Sequence, residues 1–309
     1  MQMDYLAPIK ALADETRLRL FSVLARHELN VNELTSLFSM GQSRISRHLR
    51  ILSDAGLVSS RRQGQWIFYR RKTEDRKVNE MSGGVISLVE GWPELEDDLS
   101  RASAIVAARI SESKRFFASV NERNWEEMKS DLDGGVDLDG RIVDWLEERG
   151  TVADIGCGTG DLLVRLRTVC RHVIGVDHVP QMLERARSRL AENSSSVDLR
   201  IGDVSHLPLG DGEADAMVMN MVLHHLPQPE AVFAELARVT RHGGQLIVAE
   251  LETHALESVA RRFGDVWQGF SGSDLMDWLD RGGWRTVRHE VIPIGLGIRA
   301  HLVSAKKKI

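Results

Sequence analysis

Cysteine is nearly absent. Cys157 and Cys170 are the two in 309 residues, too few for a disulfide framework. Long apolar runs are missing as well: none approaches the roughly 18 residues that a membrane-spanning helix needs. The opening MQMDYLAPIK lacks the basic-then-apolar order of a secretory signal. Together these absences lead us to expect a cytoplasmic chain with no membrane partner.

What is present is ordinary in amount and uneven in placement. Hydrophobic residues make up 42% and charged residues 28%, as in soluble globular proteins, and 309 residues suffice for two separate cores. Residues 1–77 hold 14 Lys and Arg against 8 Asp and Glu, a net of +6, and the remainder holds 26 against 37, a net of −11, giving the overall −5. A small basic part joined to a larger acidic one points to a polyanionic partner for the first part alone.

The basic part has its own pattern. Leu18, Leu20, Phe21 and Leu24 fall at helical spacing behind the start signals Asp14 and Thr16. Asn32 is placed to cap a second short helix carrying Leu34, Leu37 and Phe38. After a turn at Gly41, a third helix opens at Gln42 or Ser43 and runs through Leu52. Its residues Ile45, Leu49 and Leu52 share one face, leaving Gln42, Ser43, Arg44, Ser46, Arg47 and Arg50 outside with His48 nearby. Helix, turn and helix is the geometry that lays a second helix in the DNA major groove. Arginine forks onto guanine edges, while serine and the helix N-terminus suit phosphate. Leu57–Ser60 and Trp66–Arg70 then read as two strands joined by the basic RRQGQ, a wing that lays Arg61, Arg62 and Arg70 along the DNA backbone.

The runs LADETRLRLFSVL, SRISRHLRILSDAGLV and RRQGQWIFYR closely resemble the ArsR family of winged helix-turn-helix regulators, over roughly residues 5–72. That resemblance implies a homodimer on an inverted-repeat operator of double-stranded DNA. It also exposes a departure. Metal-sensing members carry Cys-x-Cys before the recognition helix, where this chain reads ELNVNEL, with Asn30 and Asn32 in place of the thiolates. Amides are poor ligands for soft metals, and Val78–Val120 contains neither His nor Cys. No metal is expected, so the signal must come from elsewhere in the chain.

Gly83, Gly84, Gly91 and Pro93 predict a break in helical pattern within residues 79–93. Glu94–Met128 reads as largely helical, marked by Ile105, Ile110, Phe116, Phe117 and Val120, with a role in pairing subunits. Short apolar strands then alternate with amphipathic helices: Val152–Ile155, Val173–Val176, Val197–Ile201, Ala216–Met219, Leu246–Ala249, Thr286–Ile292 and Ala300–Ser304. Such alternation implies a parallel sheet with a ligand at the carboxyl ends of its strands.

At the first of those ends stands VADIGCGTGDLL. Its Gly156, Gly158 and Gly160 allow close approach of backbone to ligand. A dinucleotide fingerprint would need glycine at 161, where Asp161 stands. Asp154 sits poorly beside a pyrophosphate and well beside a cationic amino-acid ligand. Asp177 ends the second strand, suited to two ribose hydroxyls, and Gly202-Asp203-Val204 ends the third, where a carboxylate can take an exocyclic amine.

With VIGVDHVPQMLERAR, LRIGDVSHLPLGDGEADAMVMNMVLHHLPQP and LARVTRHGGQLIVAEL, that loop resembles the class I S-adenosylmethionine-dependent methyltransferases, over about residues 110–305. The resemblance implies that Gly156, Gly158 and Gly160 border the methionine moiety, with Cys157 a loop neighbour. It puts Asp177 on the ribose, His178 and Met182 beside the adenine, Asp203 on its amine and Asn220 on the floor, with His225 also near the cofactor. S-adenosylmethionine or S-adenosylhomocysteine is the implied ligand.

The expected architecture is therefore α/β: a winged helix-turn-helix over 1–75, a helical linker and dimerisation segment over 76–130, and a Rossmann-like seven-strand methyltransferase domain over 131–309. If an acceptor must lose a proton, His224, His225, Glu250 and His254 are the candidate bases. The two histidines are equally suited to packing and positioning cofactor, and Glu250 to capping a helix. Arsenite methylation would require several thiolates, and a quinone acceptor an extended apolar groove that the sequence does not locate. Phe263, Trp267 and Phe270 fall near a possible mouth. Two functions stand: a transcriptional regulator whose second domain senses the adenosyl nucleoside, and a small-molecule methyltransferase tied to a DNA-binding domain.

Overall fold

The computed structural model describes residues 6–63, 66–72, 75–119, 122–190 and 196–308. The expected wing tip at Gly64 and Gln65 and the apolar mark at Val120 lie outside them, as do the side chains of Ile110 and Phe117. The chain divides into two compact units, Met1–Arg109 and Ile110–Ile309. No helix among the described residues is long and apolar enough to cross a membrane.

In the first unit α1 (Leu6–Leu12), α2 (Glu15–Leu24), α3 (Val31–Phe38) and α4 (Gln42–Asp54) surround a core that includes Phe21, Leu34, Ile45, Leu49 and Leu52. Asp14 caps α2 through Arg17 N–H at 2.9 Å. The α3 cap is Asn30 rather than Asn32. Asn30 Oδ1 accepts from Asn32 and Glu33 N–H at 2.9 and 3.0 Å, and Glu33 returns to Asn30 N–H at 2.8 Å, a reciprocal capping box. A small antiparallel sheet pairs β1 (Leu29–Asn30) with β3 (Trp66–Arg71) and β3 with β2 (Val58–Gln63).

The break expected within residues 79–93 falls late. Helix α5 (Arg76–Leu88) runs through Gly83 and Gly84, and the chain turns only near Gly91, at φ +86°. Val78, Met81, Val85 and Val89 recur at helical spacing and pack on the core. That burial outweighs about 1 kcal/mol per internal glycine. Leu95, Leu99 and Ala102 of α6 (Pro93–Ser119) join the same core, so much of the expected linker belongs to the first unit.

The second unit begins with the remainder of α6, α7 (Glu122–Asp133) and α8 (Leu138–Trp145). The strands are β4 (Thr151–Ile155), β5 (His172–Asp177), β6 (Val197–Ile201), β7 (Ala214–Asn220), β8 (Thr240–Leu251), β9 (Trp284–Pro293) and β10 (Arg299–Lys307). All seven expected strands are present, in the order β6-β5-β4-β7-β8-β10-β9. The first five run parallel, whereas β10 is antiparallel to both β8 and β9. Here the sheet departs from the all-parallel expectation, because the short Ile294–Ile298 link holds no crossover helix and a parallel return requires one. In β7, Ala216 and Val218 join the main core; Met217 and Met219, equally buried, alternate to the other face. Helices α9 (Asp161–Val169), α10 (Pro180–Leu190), α11 (Val232–Val239), α12 (Glu257–Phe263) and α13 (Gly272–Arg281) complete the unit. The chain leaves β4 toward β5 and β6, then returns to β7 on the other side. That reversal opens a crevice at the carboxyl ends of the strands.

Candidate functional site

A cavity of about 490 Å³ occupies that crevice, within the second unit. Its wall includes Asp154, Gly156, Cys157, Gly158, Asp177, His178, Met182, Gly202, Asp203, Val204, Asn220 and His225, so all the expected cofactor residues but one line it. The exception is Gly160. At φ +82° it starts α9, and a Cβ there would sit 3.1 Å from the Ala186 Cβ, so this glycine lets the loop close on α10. Gly156 has a different constraint. A Cβ there would lie 2.5 Å from Val222, which holds the loop low against the cavity floor.

Asp177 ends β5 with its carboxylate oriented by backbone. Oδ2 accepts from Gly158 N–H at 2.9 Å and Oδ1 from Val179 N–H at 2.8 Å, fixing the acid to the glycine loop while lone pairs remain for a diol. Burial raises its pKa against those two hydrogen bonds. Asp154, buried at the end of β4, is pushed up to about 8 by burial, then by nearby Asp139, with Lys129 opposing. Asn220 donates Nδ2–H to Asp139 at 2.9 Å, and Lys129 reaches both Asp139 (3.2 Å) and Asp161 (3.3 Å). Asn220 Oδ1 is buried without a hydrogen-bond donor among the described residues. A buried acceptor is costly to leave unmet, and a ligand ammonium would satisfy it. Acids, an amide acceptor and one lysine around a single end suit a zwitterionic amino-acid moiety. Asp203 lies exposed at the rim, its Oδ1 accepting from Ser205 N–H and Oγ at 2.9 and 2.7 Å.

Of the four candidate bases, His224 and His225 line the cavity, whereas Glu250 and His254 do not. Glu250 is fully buried on β8 and caps no helix. Its Oε1 lies 2.5 Å from His224 Nδ1 and accepts from Leu251 N–H at 2.6 Å. Burial works against a charge on His224, but Glu250 and Asp265 outweigh it and raise the pKa. His225 is held well below the usual value by burial and the adjacent His224, and so stays neutral. Asp265 is pushed up to about 7 by burial, with His224 opposing. His254 is half-buried, its Nδ1 facing Leu256 N–H at 3.3 Å.

Several lining residues escaped sequence reading: Asp265, Thr159 and, from α7, Trp125, Lys129 and Leu132. Asp265 stands alone in a loop, and α7 precedes the first strand, so neither carries a local motif. Phe263 reaches the cavity wall. Trp267 and Phe270 are core residues, about 1% exposed, with Phe270 edge-on to Trp278 at 5.1 Å.

In the first unit, α4 presents Gln42, Ser43, Arg44, Ser46, Arg47 and Arg50 to solvent, over buried Ile45, Leu49 and Leu52. Arg62 is exposed and Arg70 half-buried. Two expected contacts face elsewhere. The His48 side chain is 13% exposed, its Nδ1 4.0 Å from Asp14 Oδ1. Arg61 forms a two-pronged pair with Glu28 at 3.1 and 3.0 Å, both side chains 8% exposed. Strand alternation sends Arg61 to the covered face of the wing and Arg62 outward.

Residues 14–60 match the family model for bacterial regulatory proteins of the arsR family, and residues 153–248 match a methyltransferase domain. Arsenic resistance transcriptional regulator ArsR1 of Pseudomonas putida is 44% identical over 85 residues, 27% of this chain and 66% of that protein. Arsenite methyltransferase of Halobacterium salinarum is 35% identical over 105 residues, 33% of this chain and 27% of that protein. The chain thus spans less than two thirds of either relative's length. A chain from the solved complex of the Haloferax volcanii Trm112 methyltransferase activator with a methyltransferase aligns at TM-score 0.52 and 18% identity, covering 60% of this chain and 93% of that one; this likeness concerns the fold.

Proposed function

Because the chain joins an ArsR-type helix-turn-helix segment to a methyltransferase domain, we propose a DNA-binding transcriptional regulator whose second unit binds S-adenosylmethionine or S-adenosylhomocysteine as its signal. The observation that carries this reading is the pairing of two intact surfaces in one chain: the arginine face of α4 and the acid-lined cavity. The cavity residues fit an adenosyl amino acid. Asp177 would hold the ribose hydroxyls, Asp154 and Asn220 the ammonium end, and Asp203 the adenine amine. The asparagines at 30 and 32 support a signal other than a thiolate-bound metal. DNA half-sites related by a twofold axis would be met by a homodimer.

To regulate, a nucleoside must bind the DNA-competent and released states unequally; a hundredfold ratio corresponds to about 2.7 kcal/mol. Donor and product differ by a methyl group and a positive charge, so an acid-lined cavity can separate them, Asp154 giving up its proton when the cationic donor binds. Operator titrations followed by fluorescence anisotropy should show the two nucleosides changing affinity to different degrees. Asp177→Ala should weaken both nucleosides at least tenfold in calorimetry, through loss of charge-assisted hydrogen bonds of about 1.5–3 kcal/mol each. It should also abolish both operator responses.

A second reading, a working small-molecule methyltransferase, is favoured by one observation: His224, backed by buried Glu250, faces the cavity beside a neutral His225. The sulfonium donor is already activated, so positioning and water exclusion supply most of the acceleration. A neutral imidazole would take the acceptor's proton. Arsenite suits this site poorly as acceptor, since both cysteines are buried and burial keeps the Cys157 thiol protonated. Transfer of a labelled methyl group, with no nucleoside effect on the operator curve, would establish this reading over the first.

A further inference from the structure

The histidine cluster has one feature that proton transfer does not account for. The Asp265 side chain is fully buried and lines the cavity, yet neither carboxylate oxygen has a hydrogen-bond donor among the described residues. His224 Nε2 approaches Oδ1 to only 3.6 Å, and His225 Nδ1 to 3.9 Å. These distances are too long for hydrogen bonds, so a proton on either ring would still leave the carboxylate unmet. One donor atom from each residue lies within 4.8 Å of the others. Two ligands each about 2.0–2.2 Å from a zinc-like ion stand roughly 3.3–3.6 Å apart at tetrahedral or trigonal angles. Small side-chain rotations would bring the three donors to those separations.

The far sides of the rings are already held as metal-binding imidazoles are held. His224 presents Nδ1 to Glu250 at 2.5 Å, and Glu250 is itself fixed by Leu251 N–H. His225 is hydrogen-bonded to the Gly264 backbone. Such outer partners set the tautomer that leaves the inner nitrogen free to ligate.

We propose that His224, His225 and Asp265 bind one divalent transition ion of the zinc or cobalt class. Two imidazoles and one carboxylate suit that class and leave a coordination position open to the cavity. An acceptor hydroxyl or thiol would occupy the open position and lose its proton there more readily. Metal binding itself does not depend on the choice between regulator and enzyme, whereas the acceptor's place on the ion rests on the enzyme reading. The site departs from the expectation of no metal, which rests on the thiolates missing before the recognition helix. No spacing rule joins the adjacent histidines to an aspartate forty positions later.

Chelator-treated full-length protein titrated with Co²⁺ should take up one equivalent per chain and develop the visible absorption of a four- or five-coordinate ion. Asp265→Asn and His225→Gln should each weaken uptake at least tenfold and abolish that absorption. His242→Gln, at an exposed strand position, should change neither. Because neither Asp265 oxygen has a hydrogen-bond donor among the described residues and burial already works against its charge, its amide variant should unfold at no lower temperature than the parent, which separates ligand loss from misfolding. Absence of the absorption, or equal uptake by Asp265→Asn, would mean that the cluster merely shares a buried proton, and would overturn the proposal.

Discussion

At the scale of single residues, the cavity holds carboxylates where their charge is expensive. Asp154 is the clearest case, with a pKa of about 8 against 3.8 unperturbed. The folded state therefore binds a proton that the unfolded chain has released between those values, and stability falls as pH rises from about 4 to about 8. Asp154→Asn should remove this component, so that variant and parent differ more at pH 8 than at pH 5, the variant being the more stable. Denaturant midpoints at the two pH values check it, and an equal difference at both would refute it. The groups facing Asp154, namely Asp139, Lys129 and Asp177, are unchanged in that comparison. Its place on the first parallel strand was readable from the text before the glycines, but not the depth of its burial.

At the scale of elements, α4 and the wing divide their arginines by face. Arg44 and Arg47 are exposed, and in the proposed regulator they would meet phosphates or base edges. Neutralising a phosphate-contacting arginine should flatten the slope of log operator affinity against log salt by about one. Arg61→Ala should instead cost fold stability by about 3 kcal/mol or more, since it strands buried Glu28, and thermal unfolding of the variant would show it. The sequence placed Arg61 with its neighbours because alternation along a six-residue strand depends on where the pairing begins. The α3 cap makes a related point. Asn30 spends its side chain on the helix start, so arsenite at stoichiometric amounts should leave operator affinity unchanged. Arsenite-driven release would contradict the assignment of these asparagines.

At the scale of the whole molecule, each unit has its own core, and a nucleoside signal must pass as a difference in affinity between two global states. Reading an inverted repeat requires two copies. Sedimentation of the free protein should therefore give twice 34.6 kDa, and a monomer that stays monomeric on operator DNA would remove the twofold model.

The sequence alone determined the order of helices and strands, the glycine loop, and the acids at the ends of β4 and β5. These are local properties: periodicity, turn chemistry and spacing travel with the text. Tertiary structure decided what depends on residues far apart in the chain. It reversed β10 between β8 and β9, carried α5 through two glycines onto a distant core, and turned Arg61 inward to Glu28. It also set Asp265 beside His224 and His225 with no hydrogen-bond donor to its carboxylate among the described residues. Burial and pairing are set by the packing of remote segments, and hydrophobic period carries no record of which remote partner will arrive.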